Sequence, residues 1–356
     1  LATKGTRPTI HDIARVAGVS ANTVSKVLND KPGVADETRA RINDLIKEMG
    51  YHPHIGARSL RGAHQGCIGV TLPAPAQDVP VSQSFFIWLF RQLYRVFGAQ
   101  GQRVCFDMNP YQTDGSGDYA RSVWDHLFSV CIVAGPLAND DTVIHRIHGS
   151  GVPYLALGRL DSLPECSSAT VDYEEGAYLS TKYLLDKGHK KIAMLRAFSG
   201  YQPGRERTRG YRRALEEAGV PFDENLLRSV SIAPESVANM VHRLLVDREV
   251  TALIDCSATE DGSSINQGAQ RAGRTIGQDL DVVCWTYERN RAVLSTASAH
   301  VWLPVREAAT EGLEQLARWY RGDIEGPIRI LYPPVLTQEV AGDTVPRPER
   351  LFDPFE

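Results

Sequence analysis

Two short amphipathic segments meet at Gly18, and that spacing constrains the chain more than any other feature. Ile10, Ile13, Ala14 and Ala17 recur at helical spacing and make one apolar face. Thr9 precedes them with a hydroxyl suited to capping free N–H groups, and Asp12, three residues on, places negative charge at the positive helix end. Gly18 suits the left-handed residue that ends a helix, and Ser20 follows as the cap of a second helix with Val24, Val27 and Leu28 pointing inward. A third helix is expected from Ala35 to Met49, where Ile42, Leu45, Ile46 and Met49 close a three-helix core before Gly50 stops it. Two helices joined by a short turn containing Gly form a helix-turn-helix, whose second helix reads the DNA major groove.

The chemistry of the second helix fits that use. Ala21, Asn22, Ser25 and Lys26 are expected on its outer face. Asn22 has the amide geometry to pair with adenine, Lys26 donates to guanine, and Ala21 is small enough to sit against a thymine methyl. The hydroxyls of Thr9, Ser20, Thr23 and Ser25 suit phosphates, and Asn29 closes the same set. After Tyr51-His52-Pro53 comes a short stretch containing His54, Ala57, Arg58 and a lone leucine, Leu60. Such a segment folds only when packed against something. Gly18-Val19-Ser20 alone is compatible with an ordinary helical corner, Asn22 and Lys26 with solvent-facing residues, and Leu60 with a packing leucine.

The whole array resembles the DNA-binding head of the LacI (lac repressor) family. Thr9-Ile10-His11-Asp12-Ile13-Ala14, Ala17-Gly18-Val19-Ser20, Thr23-Val24-Ser25, Thr38-Arg39, Tyr51-His52-Pro53 and Ala57-Arg58-Ser59-Leu60 carry the resemblance. It implies that Leu60, with Ala57 beside it, sits on a hinge helix that pairs with its copy in the minor groove and wedges between base pairs, a known device for kinking DNA.

Charge divides along the same line. The first 62 residues hold 10 Lys and Arg against 6 Asp and Glu, so the rest of the chain is more acidic than the net charge of −4. A basic reader attached to an acidic body that does not itself hold DNA fits this asymmetry. The six cysteines, Cys67, Cys105, Cys131, Cys166, Cys256 and Cys284, are isolated and show no metal spacing, so buried thiols in a reducing compartment are expected. His145 and His148 are three apart but lack carboxylate or cysteine partners, and neither a metal nor a cofactor is expected. The first residues lack an apolar signal core, and Phe85-Phe86-Ile87-Trp88-Leu89-Phe90 is too short to cross a membrane, which points to the cytoplasm.

From Gly66 onward strand-like and helix-like stretches alternate, as in parallel sheets flanked by helices. Strands are expected at Cys67–Leu72, Arg103–Asp107, Cys131–Gly135, Val152–Leu157, Lys191–Leu195, Ala252–Asp255 and Val282–Trp285. Helices are expected at Ser84–Gln100, Tyr119–Phe128, Glu174–Lys187 and Arg205–Ala218, with another between the last two strands. Val171–Ala177, Lys187–Ala193 and Arg207–Leu215 extend the resemblance to the rest of the family, strongly to about residue 220 and weakly beyond it.

The fold class implied is an all-α helix-turn-helix DNA-binding head plus an α/β effector domain of two lobes, like a periplasmic binding protein. The expected divisions are a head over 1–53, a hinge and linker over 54–65, an effector-binding and dimerisation domain over 66–345 and a tail over 346–356. In such a domain a ligand binds between the lobes at the C-terminal ends of the strands. By position Phe85 and Phe86 would lie beside a ligand ring, and Arg207 would clamp oxygens with its fork of donors; Phe85 and Phe86 are equally compatible with the core, and Arg207 with a surface helix position. The family's carboxylate after the strand near 284 is replaced here, where the chain reads Cys284-Trp285-Thr286-Tyr287, and its usual Asn-Asp pair by Asp255-Cys256-Ser257. Trp285 and Thr286 therefore join the expected site, and a sugar acid or phosphate near Arg207 and Arg159 is the ligand these departures favour.

The function implied is a sequence-specific transcriptional regulator, a homodimeric repressor of a carbohydrate-related operon on a pseudo-palindromic operator, controlled by a sugar or sugar derivative. Pro346, Pro348 and Pro354 forbid a coiled-coil tail, so a dimer is expected. The alternatives are a helix-turn-helix-fused enzyme such as a sugar kinase, or a solute-binding protein. The first needs a phosphate-cradling loop, whereas Gly115-Ser116-Gly117 has no Lys at the required spacing. The second has no use for the head.

Overall fold

The structure is a computed structural model that describes residues 8–28, 31–49, 66–73, 83–107, 118–197, 199–230, 234–257, 262–287, 294 and 296–338. The chain divides into two compact units, Leu1–Gln65 and Gly66–Glu356. In the first, α1 (Ile10–Ala17), α2 (Ala21–Leu28) and α3 (Asp36–Glu48) form the head. The start of α1 is a reciprocal cap. Thr9 N–H donates to Asp12 Oδ2 at 2.9 Å while Asp12 N–H donates to Thr9 Oγ1 at 3.3 Å. Gly18 ends the helix at φ +65°, where a side chain would be strained. Ile13, Ala14, Ala17, Val24, Val27 and Ile42 are buried, with Leu45, Ile46 and Met49 packed against them. Arg39 of α3 donates to Lys31 O at 2.8 Å.

The second unit contains two six-stranded sheets. Its described elements are β1 (Cys67–Thr71), α4 (Gln83–Val96), β2 (Val104–Asp107), α5 (Arg121–Trp124), β3 (Phe128–Val133), α6 (Thr142–Gly149), β4 (Tyr154–Ala156) and β5 (Ser168–Val171). They continue with α7 (Tyr173–Asp186), β6 (Ile192–Arg196), α8 (Gln202–Glu217), β7 (Leu227–Ser229), α9 (Pro234–Asp247) and β8 (Ala252–Cys256). The last are α10 (Ser263–Arg271), β9 (Asp281–Thr286), β10 (Ala299–Trp302), α11 (Val305–Arg321), β11 (Arg329–Tyr332) and β12 (Val335–Thr337). The sheet orders are β11-β5-β4-β3-β1-β2 and β12-β10-β9-β8-β6-β7, parallel except for β10 with β12. The chain leaves the first lobe after β5, returns after β10, and crosses once more between β11 and β12. Each sheet is doubly wound, with its order reversing between β1 and β3 in one lobe and between β6 and β8 in the other, which is where such sheets open a crevice.

Several expected boundaries move for local reasons. The helix expected over Tyr119–Phe128 is confined to Arg121–Trp124, because His126 adopts φ +56° and turns the chain into β3, which starts at Phe128. The long helix expected to reach Gln100 ends at Val96, followed by a short 3₁₀ turn that stops at Gly101 with φ +78°. His145 and His148 bond Ser162 Oγ and Tyr154 OH, roles that hold α6 in place. All six cysteines are free, but only four are buried; Cys67 and Cys105 are half-buried. One apolar strip stays open beside the edge strand β2, where Ile87, Phe90 and Tyr94 of α4 and Phe106 of β2 are exposed, with the Phe90 and Phe106 rings 4.8 Å apart edge to face.

In the second lobe, helices α7 and α8 pack backbone to backbone at Gly210. A Cβ on Gly210 would lie 1.9 Å from Glu174 O and 2.9 Å from Tyr178 N, so no rotamer relieves the clash. Gly210→Ala is expected to lower the unfolding free energy by about 3 kcal/mol, at the upper end of overpacking costs. A urea midpoint within error of the wild type would show that the two helices separate freely.

Candidate DNA-reading surface and effector cleft

In the head, Ser20 caps α2 by accepting from Thr23 N–H at 3.1 Å, and its hydroxyl pairs with that of Thr23 at 2.9 Å. Asn22 is exposed on the first turn, and Ala21, Thr23 and Lys26 are half-buried. Ser25 departs from expectation: it is 8 % exposed rather than outward-facing. It lies four residues after Ala21 and three before Leu28, both of which pack on the head core, so helical geometry carries it to the same side. Asn29, His54, Ala57, Arg58 and Leu60 fall outside the described residues, as does the tail over 346–356.

The cleft is built on the inner face of α8. Arg207 is fully buried at the switch point of the second lobe. It donates to Ala197 O at the end of β6 at 2.7 Å and to Tyr287 OH at 3.2 Å. Its guanidinium lies 5.0 Å from the Tyr173 ring and 5.1 Å from the Trp285 ring, near enough for cation–π attraction. Trp285 is itself buried and donates from Nε1 to Ser180 Oγ on α7 at 2.9 Å, so it backs Arg207 from within the core. Thr286 is also buried. The Tyr287 hydroxyl, one position further along, is a side-chain oxygen bonded to Arg207. Burial pushes the Tyr287 phenol up against the pull of Arg207, which keeps it neutral.

Arg159, on the loop after β4, belongs to the first lobe but reaches α8. Its Nε donates to Glu206 Oε1 at 2.8 Å and its NH2 to Asp172 Oδ1 at 3.4 Å. Its charge is thus balanced inside the protein, which weakens the case for a phosphate or carboxylate ligand at that end. Burial pushes the Glu206 carboxyl above its ordinary value while Arg159 pulls it down. Asp255 is buried at the end of β8 and accepts from Ser257 N–H at 3.0 Å; desolvation raises its carboxyl too. Phe85 and Phe86 lie at the start of α4, half-buried against the first-lobe core, with rings 6.2 Å apart. Arg207 and Trp285 are brought together, and Arg159 reaches the same helix α8 by its bond to Glu206, the residue before Arg207. Sequence reasoning gave no role to Tyr173, Glu206 or Tyr287. The only signal was a Glu beside Arg207 on a face that must be buried.

Both units match family models. Residues 9–54 match the bacterial regulatory proteins of the lacI family, and residues 70–309 match the periplasmic binding proteins and sugar binding domain of the LacI family. The chain belongs to the LacI family. Similar proteins include the HTH-type transcriptional regulator DegA of Bacillus subtilis, 25% identical over 93% of this chain and 96% of that protein. The regulator RegA of Clostridium saccharobutylicum is 30% identical over 77% of this chain and 81% of that protein. Among solved structures, the lac repressor dimer bound to operator and the anti-inducer ONPF superposes with a TM-score of 0.69 at 21% identity, over 95% of this chain and all of that one. The two-sheet unit is the effector domain of this family, and the protein is a DNA-binding, effector-responsive transcriptional regulator rather than an enzyme. Among the described residues no helix is long and apolar enough to cross a membrane.

Tyr287→Phe removes one oxygen from a charged donor in a dry site. It is expected to cost about 2 kcal/mol of stability, in the range for hydrogen bonds to charged groups. Calorimetric unfolding of the two proteins side by side checks this, and equal stabilities would show that the phenol does not hold Arg207.

Proposed function

We propose that this regulator is a cytoplasmic homodimeric repressor of a carbohydrate-related operon, released or engaged by a sugar or sugar derivative bound between the lobes. The observation that carries the DNA half is the head itself, a capped helix-turn-helix with Asn22 exposed on the first turn of α2. In this reading Asn22, Lys26 and Ala21 contact base edges, Thr9, Ser20, Thr23 and Asn29 contact or orient toward phosphates, and Ser25, buried on the core side of α2, supports the helix from within. His54, Ala57, Arg58 and Leu60 form the hinge, with Leu60 as the wedge.

Arg207, with the aromatic surfaces of Tyr173 and Trp285 beside it, supports a polyhydroxylated ligand. Phe85, Phe86, Arg159 and Thr286 complete the proposed cleft. Because Arg159 already meets two carboxylates, hydroxyl groups suit this end better than an added anion. The apolar strip of Ile87, Phe90, Tyr94 and Phe106 supports pairing with a second copy, which the lac repressor dimer also forms. An effector acts by binding one lobe arrangement better than the other, and this differential affinity alone decides whether it induces or co-represses.

Two substitutions test the two halves. Asn22→Ala is expected to weaken binding to the selected operator by about 1–3 kcal/mol while leaving non-specific binding intact; equal loss on random duplex would remove Asn22 from base reading. Phe90→Glu should lower the dimer fraction in sedimentation equilibrium and operator affinity with it. A fully dimeric variant would move the interface elsewhere.

A further inference from the structure

The two lobes of the effector unit are stitched together along one side by the start of α8 and the loop before it. Ala138 and Tyr201 form an antiparallel bridge, Gln202 N–H donates to Leu137 O at 2.9 Å, and Asn139 Nδ2 donates to Gly200 O at 3.5 Å. Two ion pairs continue the seam, Arg159 with Glu206 at 2.8 Å and Arg209 with Asp161 at 2.5 Å. Residues 137–139, 159 and 161 follow strands of the first sheet, whereas α8 packs in the core of the second. The two ion pairs are unlike. Arg209 and Asp161 are 38 % and 40 % exposed and are screened by solvent, but the Glu206 side chain is 1 % exposed. An ionised carboxylate that deep needs a facing cation, so Glu206 keeps its charge there only as long as Arg159 comes across from the other lobe.

The same seam carries a built-in penalty. Glu206 Oε2, Gln202 Oε1 and Asn139 Oδ1 are all buried with no hydrogen-bond partner. Native interiors rarely leave such acceptors unmatched, because each forfeits its hydration. Gln202 uses its amide nitrogen on Glu206 Oε1 at 3.3 Å, which leaves its oxygen stranded. Separating the lobes would return all three oxygens to water. Attraction through one buried ion pair is therefore opposed by three unsatisfied acceptors in the same place, and that balance is what a two-state element needs if a small molecule is to tip it.

We propose that Arg159 and Glu206 form the latch that sets the lobe arrangement in the absence of effector, and that the stranded oxygens of Gln202, Glu206 and Asn139 keep the latch weak enough to release. Glu206 and Gln202 are positioning residues that act through the lobes and touch no DNA. The proposal rests on the reading that the effector works by changing the relation of the lobes.

The test uses the full chain without ligand, with two readouts: exchange of the Gln202 amide hydrogen, which is bonded across the seam, and affinity for the selected operator. Glu206→Gln removes the charge at constant size and should speed exchange at Gln202 at least tenfold. Asn139→Leu removes a stranded oxygen at similar volume, together with only the long 3.5 Å bond to Gly200 O, and should slow exchange at Gln202 several-fold, the opposite sign. Operator affinity should shift in opposite directions in the two variants. If Glu206→Gln folds poorly, Arg159→Gln, on the more exposed side of the pair, should speed exchange in the same way. Unchanged exchange in the charge-removing variants, or the same sign in both classes, overturns the latch, since loss of mere packing would loosen the seam in both. Opposite signs in exchange with constant operator affinity would uphold the latch and count instead against the coupling of lobes to DNA.

Discussion

A charge cannot be left alone in a protein interior, and this constraint organises the effector unit around α8. Glu206 and Arg207 are neighbours on that helix, both buried, and each must find its partner on a different element. Arg207 finds Ala197 O and Tyr287 OH within its own lobe, while Glu206 finds Arg159 in the other. One helix thus anchors the switch point of the second sheet and grips the first lobe. Its placement depends on Gly210, which lets α8 approach the backbone of α7 more closely than any side chain would permit.

The head rests on different physics. Its core is small, so helix ends carry a larger share of its stability, through the Thr9–Asp12 cap, the left-handed Gly18 and the Ser20–Thr23 pair. Those same devices orient the first turn of α2, where a base-reading residue has to be presented. The charge of the chain is divided to match, with the basic excess confined to the unit that carries the helix-turn-helix.

Much of this was legible in the sequence because it is local. Thr9, Gly18 and Ser20 announce helix ends through their own chemistry, and the alternation from Cys67 to Trp285 announces parallel sheets. What escaped is long-range. The elements from β10 to β12 were not anticipated, since β11 pairs with β5 across more than 150 residues of chain and no local pattern signals that return. The site behaved likewise. Arg207 and Trp285 stand near one another, and Arg207 also bonds the Tyr287 hydroxyl, a contact between residues 80 positions apart that no local pattern signals. Ser25 was placed outward by counting polar residues and lies inward because its neighbours at helical spacing are core residues. Arg159 is expected from the sequence beside an anionic ligand, and its pairing with Glu206 belongs to a contact between lobes that a single sequence does not display.

The central claim is that this chain reads an inverted repeat in double-stranded DNA under the control of its effector unit. Selection of full-length protein against a random duplex library at physiological salt, followed by anisotropy titration of the winning sequence, tests it most directly. The account predicts an inverted repeat bound about a thousandfold more tightly than random duplex, the lower end of specificity ratios for such proteins. Enrichment of no symmetrical sequence, with equal affinity for selected and random duplexes, would contradict it.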